Sequence, residues 1–384
     1  MTGTLLDRTR GARPFSEYAG LDAATIRERT WAAKRELGRR VVILGHHYQR
    51  ESVMEFADFR GDSFKLSQLA AAQAEAIAIV FCGVHFMAES ADVLRQPHQT
   101  VILPDLKAGC SMADMAVIED VDEAWERLTE AHGDTIVPVT YMNSSAALKA
   151  FCGARGGVVC TSSNARAVLE WAWARKERAF FFPDQHLGRN TAYAMGVPLE
   201  HMAEWDYRAE NLSRVNARCF EPGARIILWR GFCSVHTKFT KQQVEEVRAA
   251  HEGVKVLVHP ECPFEVVRAA DLTGSTEFII QQVEQAPPGT RWAIGTEINL
   301  VHRLAVQHPE QHIQSLQKNV CPCATMNRID PAHLLWALEN LAAGHVVNPI
   351  RVPEDVKRDA RLALDRMLAL KGSGQIARSA MAKD

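Results

Sequence analysis

Val41-Val42-Ile43-Leu44-Gly45-His46-His47-Tyr48 is an apolar run that stops on a glycine and three polar side chains. Four consecutive aliphatic residues without polar alternation read as a strand buried on both faces, as in a parallel sheet. Downstream, Ser63 to Ile77 has helical composition, and Ile77-Ala78-Ile79-Val80-Phe81 is the next buried strand. Strands alternating with helices predict an α/β architecture.

The plan of this segment returns twice. The first copy runs VVILGHHYQ, GDSFKLSQLA and AIVFCGVHFMAESADVL, the second IVPVTYMNSSAALKAF, VVCTSSNARAVLEWA and RAFFFPDQHLGRN, the third VKVLVHPECPFEVVRAAD, GSTEFIIQQV and RWAIGTEINLVHRLA. Each copy has a strand ending in a polar triplet: His46-His47-Tyr48, Tyr141-Met142-Asn143, His259-Pro260-Glu261. Each then has a turn with a small hydroxyl residue that would start a helix, Asp62-Ser63, Thr161-Ser162 or Ser275-Thr276. A third strand would end in Met87-Ala88-Glu89, Asp184-Gln185-His186 or Thr296-Glu297. The expected fold is therefore α/β, with three similar α/β domains built on small parallel sheets; if a pseudo-threefold axis relates them, they surround a central site. The expected modules span 40–125, 126–235 and 236–345, with an insertion within roughly 190–225 of the second. A helical extension over 1–39, with Ala23 to Leu37 as its helix, and a helical segment over 346–384 flank them.

Ligands of parallel α/β sheets bind at the carboxyl ends of strands, where helix N-termini favour phosphates and carboxylates. Three such edges facing one point would form a polar, anion-seeking pocket. Ser, Thr and Asp at helix starts are also ordinary N-caps, so it is the repetition beside matching polar triplets that points to a site.

Bulk properties restrict the partners. Of 384 residues, 47% are hydrophobic and 23% charged, ordinary for a globular protein, and the net charge of −2 with no long basic run gives no reason to expect nucleic acid. The N-terminal MTGTLLDRTRGARPFSEYAG lacks a signal-peptide core, and no stretch reaches the ~20 apolar residues of a membrane span. The expected address is the cytoplasm, with no membrane partner. An odd count of nine cysteines in a reducing compartment argues against a disulfide framework.

Three of the nine keep phase with the repeats: Cys110 follows His46, Cys233 follows Tyr141 and Cys321 follows His259, once the insertion is allowed for. Under threefold pseudo-symmetry their thiols can converge. Three thiolates on one side of a cubane leave a fourth iron without a protein ligand, and that iron can act as a Lewis acid. Spacing alone leaves buried structural cysteines or a three-thiolate zinc site open, and Cys323 stands two residues from Cys321 as an alternative ligand. Cys82, Cys152, Cys160 and Cys219 read as structural, and Cys262 less decidedly so.

GHHYQ, DFRGDSFKLSQ, CGVHFMAESA, AGCSMAD, VTYMNSSAALKA, FFPDQHLGRN, GFCSVHTKF, VHPECPFEV, TGST, GTEINLVHRL and CPCATMN together resemble the quinolinate synthase family of bacterial NAD biosynthesis, in its longer form. The likeness covers residues 40–345. It implies condensation of iminoaspartate with dihydroxyacetone phosphate to quinolinate, phosphate and two waters, and a transient contact with the enzyme that supplies iminoaspartate. It implies a [4Fe–4S] cluster on Cys110, Cys233 and Cys321, with Cys323 as runner-up. It implies catalytic roles for His46, Tyr48, Tyr141, His259 and Glu261. Asp62, Ser63, Asn143, Ser162, His236, Ser275 and Thr276 would bind substrate. The family often has Asn where His47 stands, so His47 carries no assigned chemistry. Proton transfer requires His, Tyr and Glu at hydrogen-bonding range; Glu261 with His259, and Tyr48 with His46, are the expected pairs. The competing readings are a hydro-lyase of aconitase character and a non-catalytic metal-binding or redox-sensing protein.

Overall fold

A computed structural model of the protein describes residues 11–73 and 75–370. The outermost parts of the two expected terminal segments lie outside these residues. The strands are β1 (Val41–His46), β2 (Phe59–Gly61), β3 (Ala78–Cys82), β4 (Thr100–Ile102), β5 (Ile136–Tyr141), β6 (Val158–Cys160), β7 (Arg178–Phe182), β8 (Met202–Trp205), β9 (Ile226–Trp229), β10 (Lys255–Val258), β11 (Leu272–Thr273), β12 (Arg291–Gly295), β13 (His312–Ser315) and β14 (Pro349–Ile350). They form three sheets in the orders β14-β4-β3-β1-β2, β6-β5-β7-β9-β8 and β11-β10-β12-β13. All pairings are parallel except β14 with β4. The fold is thus α/β with three similar sheets. Among the described residues no helix is long and apolar enough to cross a membrane.

The repeat is fuller than the three-strand plan. β4, β9 and β13 occupy the same place in each sheet, beside the third strand of the copy. The expected insertion contributes β8, which pairs in parallel with β9 at the edge of the second sheet. In the first copy, Met87-Ala88-Glu89 does not end a strand. β3 stops at Cys82, and those residues lie inside the helix His85–Leu94.

The chain divides into two compact units. The first comprises the described residues up to Cys110 together with Cys323–Pro353. It holds the first sheet, with central strand β1 buried throughout. The helix Ala23–Leu37 starts where Asp22 accepts hydrogen bonds from Ala24 and Thr25 N–H, both at 3.0 Å. Its buried Ile26 packs with Tyr18, Ala332 and Leu335, the latter two from the helix Pro331–Ala342. The second unit is Ser111–Pro322 with the described residues from Glu354 onward, and holds the second and third sheets. The core of the third sheet gathers Phe239, Val244, Val256, Val258, Cys262, Val266 and Ala293.

Within the second unit the helix Glu354–Ala369 lies against the helix Ala146–Ala154. The approach needs Gly153: a Cβ there would stand 1.8 Å from Asp359 O, a backbone atom that cannot swing away. Arg366 Nη1 fastens the pair by donating to Gly153 O at 3.3 Å, and it reaches Gly157 O, just past the shorter helix, at 2.6 Å.

Candidate active site

His46 ends β1, Tyr141 ends β5, and His259 follows β10 directly. All three are buried, at the carboxyl ends of central strands. In the first unit His46 Nδ1 accepts the N–H of Tyr48 at 3.1 Å, and the two rings meet edge to face at 4.8 Å. In the second unit His259 Nδ1 receives the N–H of Glu261 at 3.4 Å. A backbone amide can only donate, so Nδ1 is the acceptor in both neutral rings and the proton sits on Nε2. The same His-x-x turn thus presents an N–H donor at two of the three strand ends.

Glu261, 3% exposed, is the hub of the second unit's site. Its Oε1 accepts from Tyr141 O–H at 2.5 Å, and its Oε2 lies 2.7 Å from His236 Nδ1. The expected pairing with His259 is looser, at 3.8 Å, because His259 Nδ1 is taken by the backbone. His236 is the bonded imidazole, and His259 stacks on it at 4.5 Å with ring planes 20° apart. His236 Nε2 meets Thr296 Oγ1 at 3.2 Å. Burial raises the Glu261 carboxyl, but the two histidines and the hydrogen bonds from His236 and Tyr141 outweigh it and hold the group low, at about 2. A His259 that stays neutral at pH 7 lends no positive charge there, so the hydrogen bonds carry the anion.

Burial lowers His259 to about 3 and His186 to about 4. The unfolded chain protonates its imidazoles near pH 6.5, so below that pH it binds more protons than the folded chain. The stability these groups contribute is full above about 6.5 and is lost as pH falls toward 4. Urea melts should therefore show stability falling between pH 6.5 and 5, above the usual carboxylate range, and His259→Gln should flatten that limb. A level profile in the parent protein would contradict this.

The expected anion-binding residues divide. Asp62, buried, caps the helix Ser63–Ala72 by accepting from Lys65 N–H at 2.9 Å, and half-buried Ser63 opens that helix. Ser275 is fully buried and caps the helix Thr276–Glu284 through Phe278 N–H at 3.3 Å. Its hydroxyl accepts there and keeps its own O–H to donate, while Thr276 is buried next to it. Ser162 does not start a helix: the turn runs on to Asn164, whose Oδ1 accepts from Thr161 N–H at 2.8 Å, and the helix begins at Ala165. Asn143 is half-buried, and its Oδ1 is buried without a hydrogen-bond partner. A buried amide oxygen in that state wants a donor, and a ligand can supply one.

Three further residues support the site. Thr296 occupies the second nitrogen of His236, and its place at the end of β12 is the signal that marks it. Asn190 donates to Pro260 O at 2.8 Å and Cys262 O at 2.9 Å, fixing the Glu261 turn to the helix Gln185–Ala194. It closes the FFPDQHLGRN stretch, which gave it no role of its own. Asp184 is fully buried at the start of that helix, accepting from His186 N–H at 2.9 Å. Burial and then the Glu261 charge raise its carboxyl well above the usual range.

The cysteines also divide. Cys82, Cys152, Cys160, Cys219 and Cys262 are buried, and burial raises every one of these thiols, Cys82 and Cys219 to about 12. They are inert core residues, Cys262 included. Cys110, Cys233 and Cys323 are half-buried and Cys321 is exposed. Cys110 follows β4, Cys233 follows β9, and Cys321 and Cys323 follow β13. A short 3-10 turn begins three residues after Cys110, Cys233 and Cys323, and a helix begins eight residues after each, at Ile118, Lys241 and Pro331. The register is kept by Cys323, not by Cys321, where the third thiolate was expected. Soft thiols on turns at three equivalent strand ends are the donor set an iron–sulfur cluster uses. Cys233, His236 and Glu261 also have ligand atoms within 4.8 Å of one another.

The profile of the family described as "Quinolinate synthetase A protein" matches residues 28–369. The chain belongs to that family. It is 55% identical over 353 residues to the quinolinate synthase of Geobacillus kaustophilus, covering 92% of this chain and 95% of that one. It is 55% identical over 355 residues to those of Anoxybacillus flavithermus (92% and 95% covered) and Corynebacterium glutamicum (92% and 90%). The family match spans all three sheets and both units.

Proposed function

We propose that the chain is a quinolinate synthase, joining iminoaspartate to dihydroxyacetone phosphate to give quinolinate, phosphate and two waters for NAD synthesis. The observation that carries the reading is Glu261, a buried carboxylate hydrogen-bonded to a tyrosine and 2.7 Å from an imidazole nitrogen at the carboxyl ends of a parallel sheet, in a chain of this family. Closing a pyridine ring needs a new carbon–carbon bond, an imine, several proton transfers and the loss of hydroxyls. Glu261 can take up a proton on the oxygen facing Tyr141, so that Tyr141 acts as the exchangeable acid or base. His236, held by Glu261 and Thr296, keeps its orientation. The Nε2–H groups of His46 and His259 can donate to carboxylate or carbonyl oxygens, with Tyr48 beside His46. Asn143 Oδ1 can accept from an imine or amine N–H. Ser63, Ser162 and Thr276 would hold anionic groups, and Asp62 and Ser275 would keep the helix starts in place.

Cys110, Cys233 and Cys323 would hold a [4Fe–4S] cluster, which supplies an iron without a protein ligand as a Lewis acid for a departing hydroxyl. Cys233, His236 and Glu261 could instead form a mononuclear site. That would cost Glu261 its contact with His236, so acid–base use is the better reading.

The test is an anaerobic assay on the chain reconstituted with iron and sulfide, given dihydroxyacetone phosphate and iminoaspartate formed from oxaloacetate and ammonium. Quinolinate should appear by chromatography, and none from cluster-loaded protein would end the proposal. Activity and iron should also fall together on exposure to air, since an iron lacking a thiolate is open to oxidants. Activity that outlasts prolonged aeration would favour zinc.

A further inference from the structure

The loop from β4 to Cys110 and the loop from Cys323 to the helix Pro331–Ala342 belong to one unit. Asp105, 7% exposed, serves both. Its Oδ1 accepts from Lys107 N–H at 2.8 Å, and its carbonyl accepts from Ala108 N–H at 3.0 Å, which shapes the turn leading to Cys110. Its Oδ2 accepts from Arg328 Nε at 2.8 Å, with His333 Nε2 at 3.9 Å. Arg328 closes the 3-10 turn Met326–Arg328. In the same turn Asn327 donates to Cys323 O twice, from its backbone at 3.0 Å and its side chain at 3.2 Å. Gln49 Nε2 donates to Met326 O at 2.9 Å, a buried bond that fixes this turn to the segment after β1.

We propose that Asp105 is a positioning residue whose carboxylate braces the Cys110 loop against the Cys323 loop, so that two cluster thiolates keep a set separation before any cluster is present. The inference rests on the reading of these thiols as ligands. The Arg328 side chain is 43% exposed, and an ion pair so placed adds little to global stability. What it sets is loop geometry, and groups that orient metal ligands are worth about 10–100-fold in metal retention.

The experiment follows iron release to ferrozine from the anaerobically reconstituted chain, with melting temperature recorded alongside. Asp105→Asn and Arg328→Gln should each release iron about 10–100-fold faster, with melting temperatures close to the parent's. Arg328→Lys, which keeps the charge, should recover most of the loss, and the double variant should be no worse than either single one. Unchanged release in Asp105→Asn and Arg328→Gln, or Arg328→Lys as fast as Arg328→Gln, overturns the brace. Amide exchange on the cluster-free chain decides the same point without iron. Opening either side of the pair should raise exchange over 105–110 and 323–328 together, and no coupled rise overturns the proposal. Full iron in Cys110→Ala would strike the ligand reading instead, and the exchange result would still decide the brace.

Discussion

Glu261→Gln should lower kcat by ~10²–10⁴-fold, the range for a lost general acid or base. The substitution keeps size and leaves an amide able to hydrogen-bond Tyr141 and His236, so the fold and any bound cluster should persist. What it removes is the carboxylate oxygen that accepts the Tyr141 hydroxyl at 2.5 Å and that, in the proposed role, would take up its proton. Ser63→Ala makes the contrast. Ser63 opens a helix whose cap is Asp62, so its loss should raise KM and spare kcat, the pattern of binding shared by ground and transition states. Steady-state kinetics with both substrates varied, on protein of measured iron content, checks the pair. A near-normal kcat for Glu261→Gln, or a larger kcat loss for Ser63→Ala, would shift the proton carrier to Tyr48.

Cys323→Ala should bring iron and activity to background, as should Cys110→Ala and Cys233→Ala, whereas Cys321→Ala should keep both. The ground is register: the 3-10 turn and the following helix stand at the same distances after Cys110, Cys233 and Cys323. Removing one of three thiolates leaves a cubane with two anchors, so the loss should be near complete. Iron and acid-labile sulfide per chain, with the absorption of the cluster, read the result. Iron retained in Cys323→Ala and lost in Cys321→Ala would return the third ligand to the first cysteine of the Cys-Pro-Cys run.

The helix Ala23–Leu37 and the strands β1, β3, β5 and β10 were legible because each is a continuous apolar or periodic run. Of the fourth strands, β9 is a fully buried apolar run of the same readable kind, whereas β4 and β13 are not. β13 is His312–Ser315 with no fully buried residue, and β4 is three residues long. Strands this short and mixed take their identity from the neighbour they pair with. The cysteine register was hidden for the same reason. It becomes visible once the helix starts are known, and two of them were marked, by the capping box at Thr240 and by Asp330-Pro331. Membership of the polar strand ends was readable from the repeat, but their pairing was not. Glu261 was matched to the histidine two residues before it, whereas its partners are Tyr141 and His236, and only tertiary placement brings those to it.

The contact of the helix Glu354–Ala369 with the helix Ala146–Ala154 has a consequence in time. The shorter helix leaves the ribosome more than two hundred residues before its cover is made. At 5–20 residues per second the delay is roughly 10–40 s. Through that interval the flat surface that Gly153 provides, and the apolar side chains around it, face solvent or a chaperone. The second unit therefore cannot mature from the N-terminus onward. Its earliest-made sheet is covered only when the last helix described docks on it.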